Sequence, residues 1–206
     1  YSQEVWAPEL HYLNDKWHIY FAASDGQNKN HLAYVLQSKT KDPLGGYELH
    51  GPFQTGDSEE ENLWAIDMTP LEHKGKLYAI WSGWDGPETD QQFLYIAEMA
   101  SPTKLAGKRV RICDNLDYPW EKTEGGANGR GLNEGPQVLE NGKHTYLIYS
   151  CGASWLPSYK LGQLELTGDD PLDPASWEKR KGSIFQSSKE TFGVGHSCFV
   201  KSPDGS

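Results

Sequence analysis

Basic charge, cysteine, long apolar runs and helical periodicity are all in short supply in this 206-residue chain. Its 19 Lys and Arg face 29 Asp and Glu, for a net charge of −10, and no basic cluster stands out. An acidic surface repels phosphate backbones and anionic headgroups, so neither nucleic acid nor a membrane surface is an expected partner. No apolar run approaches the roughly 20 residues that span a bilayer as a helix. The three cysteines, Cys113, Cys151 and Cys198, lack CxxC or other metal-ligand spacing. Their odd number excludes a complete internal disulfide framework and favours buried free thiols. The chain opens at Tyr1-Ser2-Gln3 with no initiator Met and no signal peptide, which reads as a cut N-terminus and leaves targeting open.

What is abundant is aromatic: 12% of the residues, with 8 Trp and 11 Tyr. Such side chains suit a β-rich fold, where most of them fill sheet-to-sheet contacts and exposed ones offer flat stacking faces. Three stretches superimpose. They begin Trp6-Ala-Pro-Glu-Leu, Asp67-Met-Thr-Pro-Leu and Glu134-Gly-Pro-Gln-Val. Each continues through a tight turn (Asn14-Asp15, Lys74-Gly75, Asn141-Gly142) into an aromatic and aliphatic second strand. Third strands follow over residues 31–38, 93–99 and 160–166, and fourth strands over residues 47–50, 108–112 and 177–185. The anchoring prolines Pro8, Pro70 and Pro136 lie 62 and 66 residues apart, and a similar step leads to Cys198.

Four antiparallel strands repeated every 60-odd residues predict an all-β propeller with long loops. The whole chain reads as one domain, with repeats at about 1–54, 63–113, 133–186 and 195 onward. Three repeats and a stub leave a ring open, so the sequence is expected to lack material at both ends.

The first strand of each blade lines the central channel of a propeller. Counting back from the prolines places Trp6, Asp67, Glu134 and His196 at the channel mouth. Two carboxyls in one cavity suit acid–base chemistry, because mutual repulsion and burial lift one pKa until that group can donate a proton. Each also has a local explanation: an Asp before Thr-Pro caps a turn, and a Glu before Gly-Pro can accept backbone N–H groups. Trp84 and Trp155 occupy matching loops after second strands and are candidate stacking faces beside Trp6. Asp85 reads as a turn residue in preference to an acceptor for a sugar hydroxyl. The glycine-rich stretch 124–131 carries no phosphate-loop pattern and is expected to form a rim loop beside Glu134. The other six histidines show no metal-ligand spacing.

Four motifs in order resemble glycoside hydrolase family 43 over nearly the whole chain: Trp6-Ala-Pro-Glu-Leu, Ala65-Ile-Asp-Met-Thr-Pro70, Asn133-Glu-Gly-Pro-Gln-Val138 and Gly193-Val-Gly-His-Ser197. The resemblance implies a five-bladed β-propeller, of which about three blades and part of a fourth are present. It implies Glu134 as general acid, Asp67 as modulator of its pKa, and His196 as a channel residue and candidate metal ligand where many members hold a structural Ca²⁺ or another ion through waters, with no cofactor needed for the chemistry. The family's general base is an Asp upstream of the Trp-Ala-Pro-Glu motif, and only five residues precede Trp6, none of them Asp. The implied activity is inverting hydrolysis of α-L-arabinofuranosyl residues on arabinan or arabinoxylan, by a secreted enzyme. A β-xylosidase or galactanase of the same family, a cytoplasmic member acting on imported oligosaccharides, and a non-catalytic carbohydrate-binding propeller remain alternatives.

Overall fold

The structure, a computed structural model, describes residues 3–58, 61–87, 89, 91–122 and 130–204. Most of the expected glycine-rich rim loop lies outside the described residues. Twelve strands run in chain order: β1 (Gln3–Leu13), β2 (Lys16–Ser24), β3 (Leu32–Ser38), β4 (Tyr47–His50), β5 (Ala65–His73), β6 (Lys76–Trp84), β7 (Gln92–Ser101), β8 (Lys104–Cys113), β9 (Asn133–Asn141), β10 (His144–Cys151), β11 (Lys160–Leu166) and β12 (Trp177–Lys179). They form three antiparallel meanders, β1-β2-β3-β4, β5-β6-β7-β8 and β9-β10-β11-β12. These are consecutive propeller blades, as the repeat predicts. No helix among the described residues is long and apolar enough to cross a membrane.

The blades stack face to face. Tyr20, Val35, Phe53, Met68, Trp81 and Tyr95 fill the first interface, and Leu71, Ile80, Leu94, Ile96, Leu147 and Tyr149 fill the second. Most of the aromatic excess is thereby used as packing. The alternating strands put every second side chain into these seams, which is why the period-2 pattern was readable. Cys113 and Cys151 are buried free thiols, while Cys198 is exposed.

Within each blade, the innermost strand carries an extra residue. Trp6 pairs with Ala22 but Glu9 with Tyr20. Ile66 pairs with Ser82 but Thr69 with Ile80, and Glu134 pairs with Ser150 but Gln137 with Ile148. Three residues advance against two in each case, which defines a β-bulge. One bulge residue is left-handed each time: Ala7 at φ +45°, Asp67 at +56° and Gly135 at +53°. This register corrects the alignment by prolines. Pro8 and Pro136 are equivalent to Met68, whereas Pro70 is equivalent to Leu10 and Val138. Asp67 therefore matches Gly135, not Glu134.

Other differences are local. The third hairpin closes at Asn141 opposite His144, so its turn is Gly142-Lys143 rather than Asn141-Gly142. The last strand of the third blade ends at Lys179. It does not reach Gly182, and Phe185 returns only as a single bridge to Leu161. Residues 195–202 form no strand, although the turn at Pro203-Asp204 is present. A strand needs a partner edge, and no described segment offers one there.

Trp81 is fully buried at the centre of the first seam. Trp81→Ala is expected to lose about 3–5 kcal/mol of stability, the usual cost of emptying a buried indole. Urea unfolding of the two forms measures it.

Candidate active site

The three bulges open on a cavity of about 550 Å³. Trp6 and Ala7 from β1, Ile66 and Asp67 from β5, and Glu134 from β9 face it, and His196 closes one side. The four residues assigned to the channel mouth thus converge. Trp155 stands at the lip, 68% exposed. Trp84 does not face this cavity. Its ring lies against Trp64 at 4.9 Å and 11°, and the two share a neighbouring cavity with Tyr34 and Pro87. Trp64 is the member of the pair that walls the site. Asp85 accepts hydrogen bonds from Tyr95 Oη (2.9 Å) and Arg111 (3.4 Å), away from the cavity.

Asp67 is 2% exposed, and its Oδ2 accepts the Gly135 N–H at 2.9 Å. The left-handed turn at Gly135 aims that N–H across the gap between blades. A side chain there would press on the His196 ring, with a Cβ only 3.3 Å from it. Burial pushes the Asp67 carboxyl up, and His196 and the Gly135 N–H oppose that shift. Glu134 has weaker help. Burial first, and the Asp67 charge second, push its carboxyl up to about 8, opposed only by the Tyr159 hydroxyl. Asp67 is therefore the partner that ionises first, because it holds a backbone donor and an imidazole. Glu134 is the partner left protonated.

Tyr159 and Trp64 are site residues that sequence reading missed. Tyr159 donates to Glu134 Oε1 at 2.7 Å, and burial pushes its phenol far above its ordinary range, so it stays a donor. It packs against Gly195, where any Cβ would meet the ring at 2.1 Å. That contact explains the glycine before His196, but nothing in the local sequence of Tyr159 announces it. Trp64 stands just before β5, three residues ahead of Asp67, and its proximity to that motif is the only available signal.

A buried polar cluster braces Glu134 from behind. Asn133 is fully buried, and its carbonyl accepts from Ser82 Oγ at 2.7 Å. Its amide donates to Glu121 Oε1 at 3.3 Å. Glu121 in turn pairs with Lys179 at 3.0 Å and accepts from Tyr149 Oη at 2.7 Å. On the other side, Ser150 Oγ accepts the His196 N–H at 2.6 Å. Ser82 and Ser150 hold equivalent register positions, and each ties down backbone of the next segment at the channel mouth, at Asn133 beside Glu134 and at His196; the first blade has Ala22 at that position.

The family model for glycosyl hydrolases family 43 matches residues 1–206. The chain belongs to glycoside hydrolase family 43. Among curated family relatives, it is 31% identical to an extracellular exo-α-(1→5)-L-arabinofuranosidase of Streptomyces chartreusis, covering 99% of this chain and 60% of that protein. It is 32% identical to α-L-arabinofuranosidase 43 of Humicola insolens, covering 99% of this chain and 41% of that protein. Among solved family-43 folds, an α-L-arabinofuranosidase from Lactobacillus brevis superimposes with a TM-score of 0.86 at 35% identity, over 100% of this chain and 63% of that one. The chain thus spans about 40–60% of the length of these curated relatives.

The described residues do not make a Ca²⁺ cage. No cluster of three or more His, Cys, Asp or Glu among them is set to hold a metal. His196 brings one imidazole, whereas Ca²⁺ takes six to eight oxygens.

The raised pKa of Glu134 has a stability consequence. A carboxyl with a folded pKa near 8 binds its proton in the native state while the unfolded chain has released it. Stability therefore falls as pH rises from the ordinary carboxyl range toward 8. Glu134→Gln keeps the shape and removes that titration. Its melting temperature is expected to exceed that of the unmodified chain at pH 8 by more than at pH 5, which thermal scans at both pH values test.

Proposed function

We propose that the protein containing this chain is an inverting glycosidase that releases α-L-arabinofuranosyl residues from arabinan or arabinoxylan. The observation that carries this reading is the Glu134 carboxyl, kept protonated to about pH 8 by burial and by Asp67, facing a tryptophan-walled cavity. A carboxylic acid in that state can protonate the glycosidic oxygen as the bond to the anomeric carbon breaks. Asp67 does not attack. Its charge adds to burial in raising the acid's pKa, and the Gly135 N–H keeps it in place.

Inversion requires a second carboxylate to take a proton from the attacking water, roughly 6.5–9.5 Å from the acid. Among the described residues, no Asp or Glu besides Asp67 and Glu134 lines the cavity. We assign the base to an Asp of the whole protein outside these 206 residues, as the family resemblance implies. Trp6, Trp64 and Trp155 supply the faces on which sugar rings stack. The similarity to arabinofuranosidases from three organisms favours arabinose over xylose or galactose. The word "extracellular" in the Streptomyces name supports secretion. A Ca²⁺ in the channel enters no step.

The test is hydrolysis of aryl α-L-arabinofuranosides, β-D-xylosides and β-D-galactosides, with arabino-oligosaccharides, by the whole protein. Arabinose release is expected, reduced about 10²–10⁴-fold by Glu134→Gln, the range for losing a general acid. In Asp67→Asn the alkaline fall of kcat/KM should move to lower pH, because removing a nearby negative charge lowers the pKa of Glu134. Sugar binding with no release of any sugar would overturn hydrolysis in favour of a carbohydrate-binding propeller.

A further inference from the structure

His31 does not line the cavity, yet two of its aromatic walls meet at this residue. Its ring is fully buried and lies between two backbone carbonyls, with Nδ1 2.9 Å from Asn28 O and Nε2 3.0 Å from Glu4 O. Trp6 stacks on that ring at 3.7 Å between centroids and 26° between planes. Trp64 meets it edge-on at 6.3 Å and 71°. The Asn28 carbonyl that His31 approaches also accepts the Trp64 indole N–H at 2.7 Å. The backbone closes the group, since Ala65 N–H donates to His31 O at 3.2 Å and so ties the base of Trp64 to the same residue.

Trp6 has little else to hold it. It is 37% exposed, and β1 is irregular on both sides of it, with left-handed residues at Glu4 (φ +47°) and Ala7 (φ +45°). A half-exposed indole between two bulges has several rotamers open to it. The flat ring beneath is what selects one, and the Glu4 carbonyl contact holds that ring against the same strand. A buried histidine set between two carbonyls is often only a packing residue. Here its partners are the two aromatic walls and the backbone that carries them.

We infer that His31 is the positioning residue for the aromatic walls of the cavity, fixing Trp6 by stacking and Trp64 through the shared Asn28 carbonyl. It touches no reacting atom and acts through the two indoles. Its effect falls on sugar binding, and it leaves the proton transfer from Glu134 alone. This rests on the proposed hydrolysis for its kinetic readout, and on tryptophan emission for a readout that does not.

The experiment compares the whole protein with His31→Ala, His31→Phe, Trp6→Ala and the His31→Ala/Trp6→Ala pair. His31→Ala is expected to raise KM about tenfold and leave kcat within about twofold, the pattern of lost uniform binding. His31→Phe, which keeps a ring under Trp6, should recover part of that loss. In the Trp6→Ala background, His31→Ala should add much less than it does alone, because coupled neighbours are not additive. A folded His31→Ala protein with unchanged KM, a folded His31→Phe protein no better than His31→Ala, or additive losses in the pair, would overturn the inference. Independently of turnover, His31→Ala should make tryptophan emission more accessible to iodide, and Trp6→Phe should remove that change. If the unmodified protein hydrolyses nothing, the proposed function fails and the iodide result alone decides on His31. Equal quenching in both forms would sink it.

Discussion

In β1, β5 and β9 one extra residue enters the ladder at the same register position, and the backbone turns left-handed there. A regular strand would send successive side chains alternately into the two blade seams. The bulge breaks that alternation and turns the next residues toward the channel mouth, which is how Trp6, Asp67 and Glu134 come to share one cavity. For Ala7 and Asp67, left-handed backbone is strained by roughly 1–2 kcal/mol relative to ordinary regions. Glycine fills the position only in β9, where the His196 ring leaves little room for a Cβ. Strain of this kind persists where surrounding structure over-determines it, and here it stands beside the buried Asp67 carboxyl and the part-buried Glu134.

The two carboxyls differ because their neighbours differ. Asp67 sits within the bulge, facing the N–H that Gly135 presents from the next blade. Glu134 sits one position earlier in its own strand and meets a phenol that burial keeps protonated. A backbone N–H and an imidazole favour the charged form of Asp67 more than one neutral hydroxyl favours that of Glu134. The asymmetry follows from backbone register: a shift of either strand by one residue would exchange or remove these partners.

Much of this was legible in the chain. Alternating apolar patterns separated by turn residues gave twelve strands in three blades; the ranges 47–50 and 160–166 were met, 93–99 and 108–112 needed extension, and 31–38 and 177–185 were shortened. Counting from prolines brought Trp6, Asp67, Glu134 and His196 to one mouth, although Pro70 is not equivalent to the other two. The count succeeded because the bulge spreads the channel-facing positions over neighbouring residues, so a two-residue error in one blade still reached the mouth. Trp84 and Trp64 show the opposite case. Both are tryptophans near the rim, and only the stack between them decides which one faces the cavity. Tyr159 and His31 act across long sequence separations, through a glycine with no Cβ and through a backbone carbonyl, and neither contact leaves a local pattern.

The seams between blades explain why Glu134 can be held firmly at the channel mouth. Ser82 anchors the carbonyl of Asn133, and the Asn133 amide reaches Glu121, which is buried with Lys179 and Tyr149. A buried ion pair is weak evidence for stability, since desolvation offsets most of the attraction. Burial does push the Glu121 carboxyl up, against the pull of Lys179. What the cluster provides is direction: an amide, a phenol and an ammonium converge on one carboxylate, and each must be placed for the others to be satisfied. Glu134 is the next residue along that backbone. Its position therefore depends on polar groups from three strands and a loop, while its raised pKa comes first from burial and then from the Asp67 charge across the cavity, so the two properties are set largely by separate parts of the protein.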